Sequence, residues 1–76
     1  MTWKKLDDET PIATEAGEWD GLKSSALLVA DKDEIIHVAI MYEGFMDGSN
    51  FRNFYDEVSD YEIDNVVYWS YIPQLF

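Results

Sequence analysis

The 76-residue chain contains no cysteine. That excludes disulfides and thiolate metal sites, and it suits a reducing cytoplasm. There is one histidine, His37, so acid–base chemistry near neutral pH has a single imidazole to draw on. Lysine and arginine total five (Lys4, Lys5, Lys23, Lys32, Arg52), and none follows Arg52. Long hydrophobic runs are missing too: the longest nearly apolar stretch, IIHVAIMY, is far too short to span a bilayer. The opening MTWKKLDDETP has two lysines with no apolar segment behind them, which does not predict a secretory leader. The glycines lie apart and none precedes a Lys-Ser or Lys-Thr pair, so nucleotide binding through a phosphate-cradling loop is excluded. Together these absences predict a soluble, cytoplasmic protein.

What is present is ring and acid. Hydrophobic residues make up 47%, with three Trp, five Tyr and four Phe, which is enough to build a core. Residues 1–76 read as one domain. A chain this short buries only about 60% of its unfolded surface, so its stability is marginal. The usual remedies are disulfides, a metal or a partner. Sixteen acids against five bases give a net charge of −11. Such a charge disfavours nucleic acid and anionic membranes and favours basic partners. Solubility alone is the competing explanation.

Residues 1–24 are polar and broken by Pro11, Gly17 and Gly21, which predicts an irregular lead-in segment pinned by Trp3 and Trp19. Residues 25–42 predict a β-hairpin: two apolar runs, about Ser25–Ala30 and Glu34–Tyr42, flank the turn signal Asp31-Lys32-Asp33. By the period-two rule, Ile36, Val38, Ile40 and Tyr42 share one face of the second strand, while Ile35, His37, Ala39 and Met41 share the other. The first set is uniformly apolar and is expected to meet the core. EGFMDGSN reads as a loop. Phe51, Phe54, Tyr55 and Val58 fall at helical spacing, predicting a short helix near 51–58 capped by Asn50 or Ser49. Asp60, Glu62 and Asp64 then alternate with Tyr61 and Ile63, as in an extended segment. Residues 66–72 are β-branched and aromatic and predict a C-terminal strand that Pro73 ends or marks as an edge. The expected fold class is α+β: a small antiparallel β-sheet with at most one short helix.

Three landmarks stand in order: Trp3-Lys4-Lys5-Leu6 reaching Pro11, then Leu27-Leu28-Val29 followed by Ala39 and Tyr42, then Val66-Val67-Tyr68-Trp69-Ser70-Tyr71-Ile72-Pro73. Together they resemble the domain of unknown function 551 family, which opens on Trp with Leu-Pro eight residues on, carries a Val-Leu-Val hairpin and closes on Thr-His-Trp-Met-Pro-Leu-Pro. This chain has Thr10 at the Leu before the Pro, Val67 at the Thr, Tyr68 at the His and Tyr71 at the first Pro of the close. No role of the family's polar closing residues carries over. The family is common in bacteriophages and prophages, so the resemblance implies a phage or prophage protein and implies no activity.

The residues argue against an enzyme. The serines have no base but His37, and no G-x-S-x-G pattern occurs. Paired carboxylates suited to glycoside cleavage arise by chance among 16 acids, and so small a domain offers little cleft in which to shift a carboxyl pKa. Asp60-x-Glu62-x-Asp64 begins like a calcium loop, but Asn65 and Tyr71 stand where that loop needs its Gly and its bidentate Glu. The expected sets of catalytic, cofactor-binding and metal-binding residues are therefore empty.

What remains is the stretch NFYDEVSDYEID, Asn53 to Asp64, with five acids and no Lys or Arg. In an extended strand, alternate residues repeat every about 6.7 Å. Two nucleotides of one DNA strand advance about 6.8 Å. Asp60, Glu62 and Asp64, lengthened by Asp56 and Glu57, would then form a row of phosphate-like pitch. With Tyr55 and Tyr71 these are the expected partner-binding residues. Joined to the phage resemblance, they predict an accessory protein that binds a basic host protein as a nucleic-acid mimic or inhibitor. Two other readings compete with it. An acidic row also stops a sheet edge from pairing with another chain. The C-terminal rings (Tyr61, Tyr68, Trp69 and Tyr71, with Phe54 and Tyr55) would suit a small-ligand pocket, a nucleotide or metabolite site. So small a chain is also compatible with a homodimer that pairs edge strands.

Overall fold

The computed structural model describes residues 2–16 and 21–72. Trp19 and Pro73, given anchoring and strand-ending roles above, lie outside them. Among the described residues there are seven strands: β1 (Lys4–Lys5), β2 (Glu15–Ala16), β3 (Leu22–Lys23), β4 (Leu27–Asp31), β5 (Ile36–Met46), β6 (Ser49–Asp56) and β7 (Val66–Tyr71). They form one antiparallel sheet in the order β1-β7-β4-β5-β3-β2, with β6 also paired to β5. Among the described residues there is no helix, so the α+β expectation is corrected to all-β. The lead-in contributes three two-residue strands.

The two apolar runs around Asp31-Lys32-Asp33 are β4 and β5, paired from Leu27↔Ala39 to Ala30↔Ile36. β5 then continues past Tyr42 to Met46 and turns back into β6. Ala39 pairs with both Leu27 and Asp56, and Tyr42 with both Lys23 and Asn53. Thus β6 runs along one side of β5, while β4 and β3 follow one another along the other. The reversal between β5 and β6 is a two-residue turn at Asp47 and Gly48, both at positive φ (53° and 82°), joining Met46 to Ser49. Asp-Gly is the pair a type I′ hairpin turn favours, because both central residues must be left-handed. That turn makes residues 49–56 a strand and overturns the helix expected near 51–58. Helical spacing of Phe51, Phe54 and Tyr55 could not compete with an eight-residue ladder.

The side of β5 that faces inward is also the reverse of the one expected from its sequence. The core is Leu27, Val29, Ala39, Met41, Phe54 and Trp69, with Leu6, Ala13, Ile63 and Val66 packed against it. Cross-strand partners share a face, and Leu27↔Ala39, Val29↔Trp69 and Met41↔Phe54 place all six on one side. The opposite side holds Ile36 (59% exposed), Val38 (38%) and Tyr68 (43%). Alternation within a strand separates its faces without ranking them; the largest rings on the neighbouring strands decide. Trp69 and Phe54 are on the Ala39–Met41 side, so the more apolar face of β5 is left outside. The chain after β1 folds back over the core side: the Trp69 indole N–H donates to the Glu9 carbonyl at 2.7 Å, and the Ile12 amide donates to the Tyr71 hydroxyl at 3.3 Å.

The face assignment has a direct check in urea unfolding at dilute protein. Leu27→Ala should cost about 2–5 kcal/mol as a core truncation. Ile36→Thr should cost about 0.5 kcal/mol or less. Equal costs would return Ile36 to the core.

Candidate functional site: an acidic end of the sheet

The connections at one end of the sheet carry most of the exposed acid. Asp31, the last residue of β4, pairs with Val66, the first of β7, and the turn after it holds Asp33 and Glu34. β6 ends alongside at Asp56, and the Glu57 amide donates to the Val38 carbonyl (2.9 Å), which brings Glu57 and Asp60 to the same end. Asp64 lies just before β7. The Leu6 amide donates to Val67 (2.8 Å), so the turn holding Asp7 and Asp8 arrives there too. Lys5 and Lys32 are the bases at this end. Arg52 and Lys23 lie toward the other, where Arg52 pairs with Glu43 at 3.3 Å. Lys4 pairs with Glu9 at 3.1 Å and lies 5.8 Å above the Trp69 ring. Among the described residues, Glu57, Asp60, Glu62 and Asp64 are exposed and none forms an ion pair with Lys or Arg.

Two of these turns are built by their own aspartates. Asp31 Oδ1 accepts from the amides of Asp33 (2.9 Å) and Ile35 (3.0 Å). Asp56 Oδ1 accepts from those of Val58 (2.9 Å) and Ser59 (3.0 Å). A side-chain oxygen replacing a backbone acceptor is the usual Asx device for a tight turn. The second oxygen of each points at His37: Asp31 Oδ2 is 3.2 Å from Nε2 and Asp56 Oδ2 is 3.8 Å from Nδ1. His37 thus bridges the turns from the edge of the core side. The Ile35 amide, then His37 and the Asp33 amide, hold the Asp31 carboxyl below its ordinary pKa. The Ser59 amide, then that of Val58, and then His37 do the same for Asp56. The arrangement orients charge and stiffens turns. The Ser59 side chain also hydrogen-bonds Asp56, while the hydroxyls of buried Ser24 and Ser70 donate to backbone carbonyls. Among the described residues no group of three or more His, Asp or Glu side chains is placed to hold a metal ion.

Asp56 is half-buried and committed to its turn and His37. Glu57 and Asp60 lie in that turn. The regular row from Asp60 to Asp64 is not formed. Asp60 and Asn65 have positive φ (61° and 60°), and only Tyr61–Ile63 lies extended along the outer edge of β6. There Glu62 bridges Tyr55, the Asp56 amide donates to Tyr61, and the Ile63 amide donates to Phe54. Tyr55 meets Tyr42 edge to face, centroids 5.5 Å apart, on the side away from the core. Tyr71 meets Trp69 edge to face at 4.9 Å on the core side. Those two tyrosines are on opposite sides of the sheet and do not share one surface. Sequence reasoning missed Asp7, Asp8, Asp31, Asp33, Glu34 and His37. The Asp-Lys-Asp-Glu turn was visible, but its nearness to Asp56 depends on strand order.

In comparisons with known proteins, no family model, no curated protein and no solved structure matches this chain. Among the described residues no helix is long and apolar enough to cross a membrane.

The turn aspartates make acid stability testable. With their pKa values lowered by folding, the unfolded chain binds more protons as acid is added, so stability rises with pH. The contribution is complete above the unfolded value near 3.9 and is lost as pH falls through the lower folded values. Asp31→Asn and Asp56→Asn should each lower the urea midpoint at pH 7 and flatten the decline below about pH 4. An acid limb unchanged in both variants contradicts the assignment.

Proposed function

We propose that this is a non-enzymatic binding protein whose acidic end docks on a basic protein surface. The observation that carries the reading is the gathering of separate acidic connections at one end of the sheet, with Glu57, Asp60, Glu62 and Asp64 exposed and unneutralised by Lys or Arg. Like charges held together in this way repel one another, and docking on a cationic groove relieves that repulsion. Long-range attraction of the same origin speeds encounter with such a groove. Nucleic-acid-binding proteins have grooves of this kind, so the acidic end acts as a stand-in for a phosphate backbone and inhibits its host. It does so as a cluster of turns, without the evenly pitched row expected from the sequence. The resemblance of the opening and closing segments to a phage family supports an accessory role in a phage or prophage, acting in the host cytoplasm.

Affinity capture from a bacterial lysate tests this. Recovery of the partner should fall about tenfold or more between roughly 50 and 500 mM salt. It should be abolished in a Glu57→Lys, Asp60→Lys, Asp64→Lys variant with an unchanged circular dichroism spectrum, and duplex DNA should compete for the captured protein. Capture that is flat across salt and indifferent to the triple variant would remove the electrostatic reading.

A further inference from the structure

The side of the sheet away from the core carries Leu28, Ala30, Ile36, Val38, Ile40 and Tyr68, with the buried Ser70 beside Leu28 on β7. Ile36, Val38 and Tyr68 are exposed there. Where these three strands run together, this side bears no carboxylate, in a chain of 16 acids. An antiparallel sheet left to water presents polar residues on its open face. A contiguous apolar patch of this kind marks an interface.

Lys5 flanks the patch across β7 from Tyr68, and the charges at its two ends along the strands specify its occupant. Lys23 is on the same side of the sheet as Tyr42, four positions along β5 from Val38, toward the end away from the acidic turns. Glu15 lies across from Lys23 on β2, and the two do not close to an ion pair. The β4–β5 turn, with Asp33 and Glu34, lies the same number of positions from Val38 in the other direction. At strand rise, each is about 13 Å from the Leu28–Val38 row.

We infer that two copies of the chain stack on this face, sheet on sheet, about a two-fold axis crossing the strands at the Leu28–Val38 row. That operation sets Lys23 of one copy over Asp33 and Glu34 of the other, twice. It packs Ile36 against the partner's Ile40 at the usual sheet spacing of about 10 Å. It also carries the two acidic ends to opposite extremes of the assembly. A two-fold axis along the strands would superpose those ends, and their mutual repulsion rules against it. The contact is isologous, so it closes at two copies. Its apolar contact leaves Glu57, Asp60 and Asp64 free and shares only the β4–β5 turn with the acidic end, so the Val38→Lys variant and the Glu57, Asp60, Asp64 variant test the two assignments separately.

Sedimentation of the full chain should show a species of twice the 8.8 kDa chain mass at high concentration, dissociating on dilution. Amide shifts at Leu28, Val38 and Tyr68 should move with that dilution. Val38→Lys, at an exposed position, should be monomeric with unchanged circular dichroism. Lys23→Glu should weaken association about fivefold, and adding Glu34→Lys should restore it. A wild-type chain still monomeric at about 1 mM overturns the inference. So does a dimer indifferent to both Val38→Lys and Lys23→Glu, or one whose dilution shifts map to the edge strands.

Discussion

The burial of Trp69 is the constraint on which the rest of the structure depends. Among the described residues it is the largest fully buried side chain, and its one polar atom is satisfied by the Glu9 carbonyl. A ring of that size has room on one side of a small sheet only, and its choice commits the side on which Val29, Leu27, Ala39 and Met41 must lie. It also explains the path of the chain after β1. Residues 6–13 fold back to cover the indole and to bring a carbonyl to its N–H. Removing a buried ring from a domain this small takes away a large part of a modest total stability.

Legibility in the sequence followed the range of the interactions involved. The β4–β5 hairpin was readable because two apolar runs and an Asp-rich turn are neighbours along the chain. Asp47-Gly48 is equally local, but the ring spacing from Phe51 mimics a helical stripe and hides the turn signal. The inward face of β5 was not readable from β5 at all. Ile36, Val38 and Ile40 are the better hydrophobes, and only the register with Leu27, Phe54 and Trp69 shows that Ala39 and Met41 are inside. The acidic stretch was seen as composition, but its shape was not. Positive φ at Asp60 and Asn65 breaks the alternation, and the acids that join it arrive from turns remote in sequence.

Charge in this molecule therefore has two structural settings. Asp31 and Asp56 spend one oxygen on turn amides and aim the other at His37, so they belong to the architecture. Glu57, Asp60, Glu62 and Asp64 have no such employment and face water. The two groups are neighbours, and the first positions the second: turns closed by aspartate-to-amide hydrogen bonds hold exposed carboxylates in place. An acid-rich surface on floppy loops would spread its charge; here the turn geometry concentrates it.

The pairing of Lys4 with Trp69 joins positions near the two ends of the chain. The β5–β6 ladder, in contrast, closes over two residues. Loop-closure entropy grows with the length of chain enclosed, so local ladders form early and remote ones wait. By that ordering the ladder at the Asp47-Gly48 reversal is expected to form before the β1–β7 pairing that brings Glu9 to the indole. A chain halted before that step would hold a partly built sheet with both faces bare, and its apolar strands would be open to pairing with a neighbour.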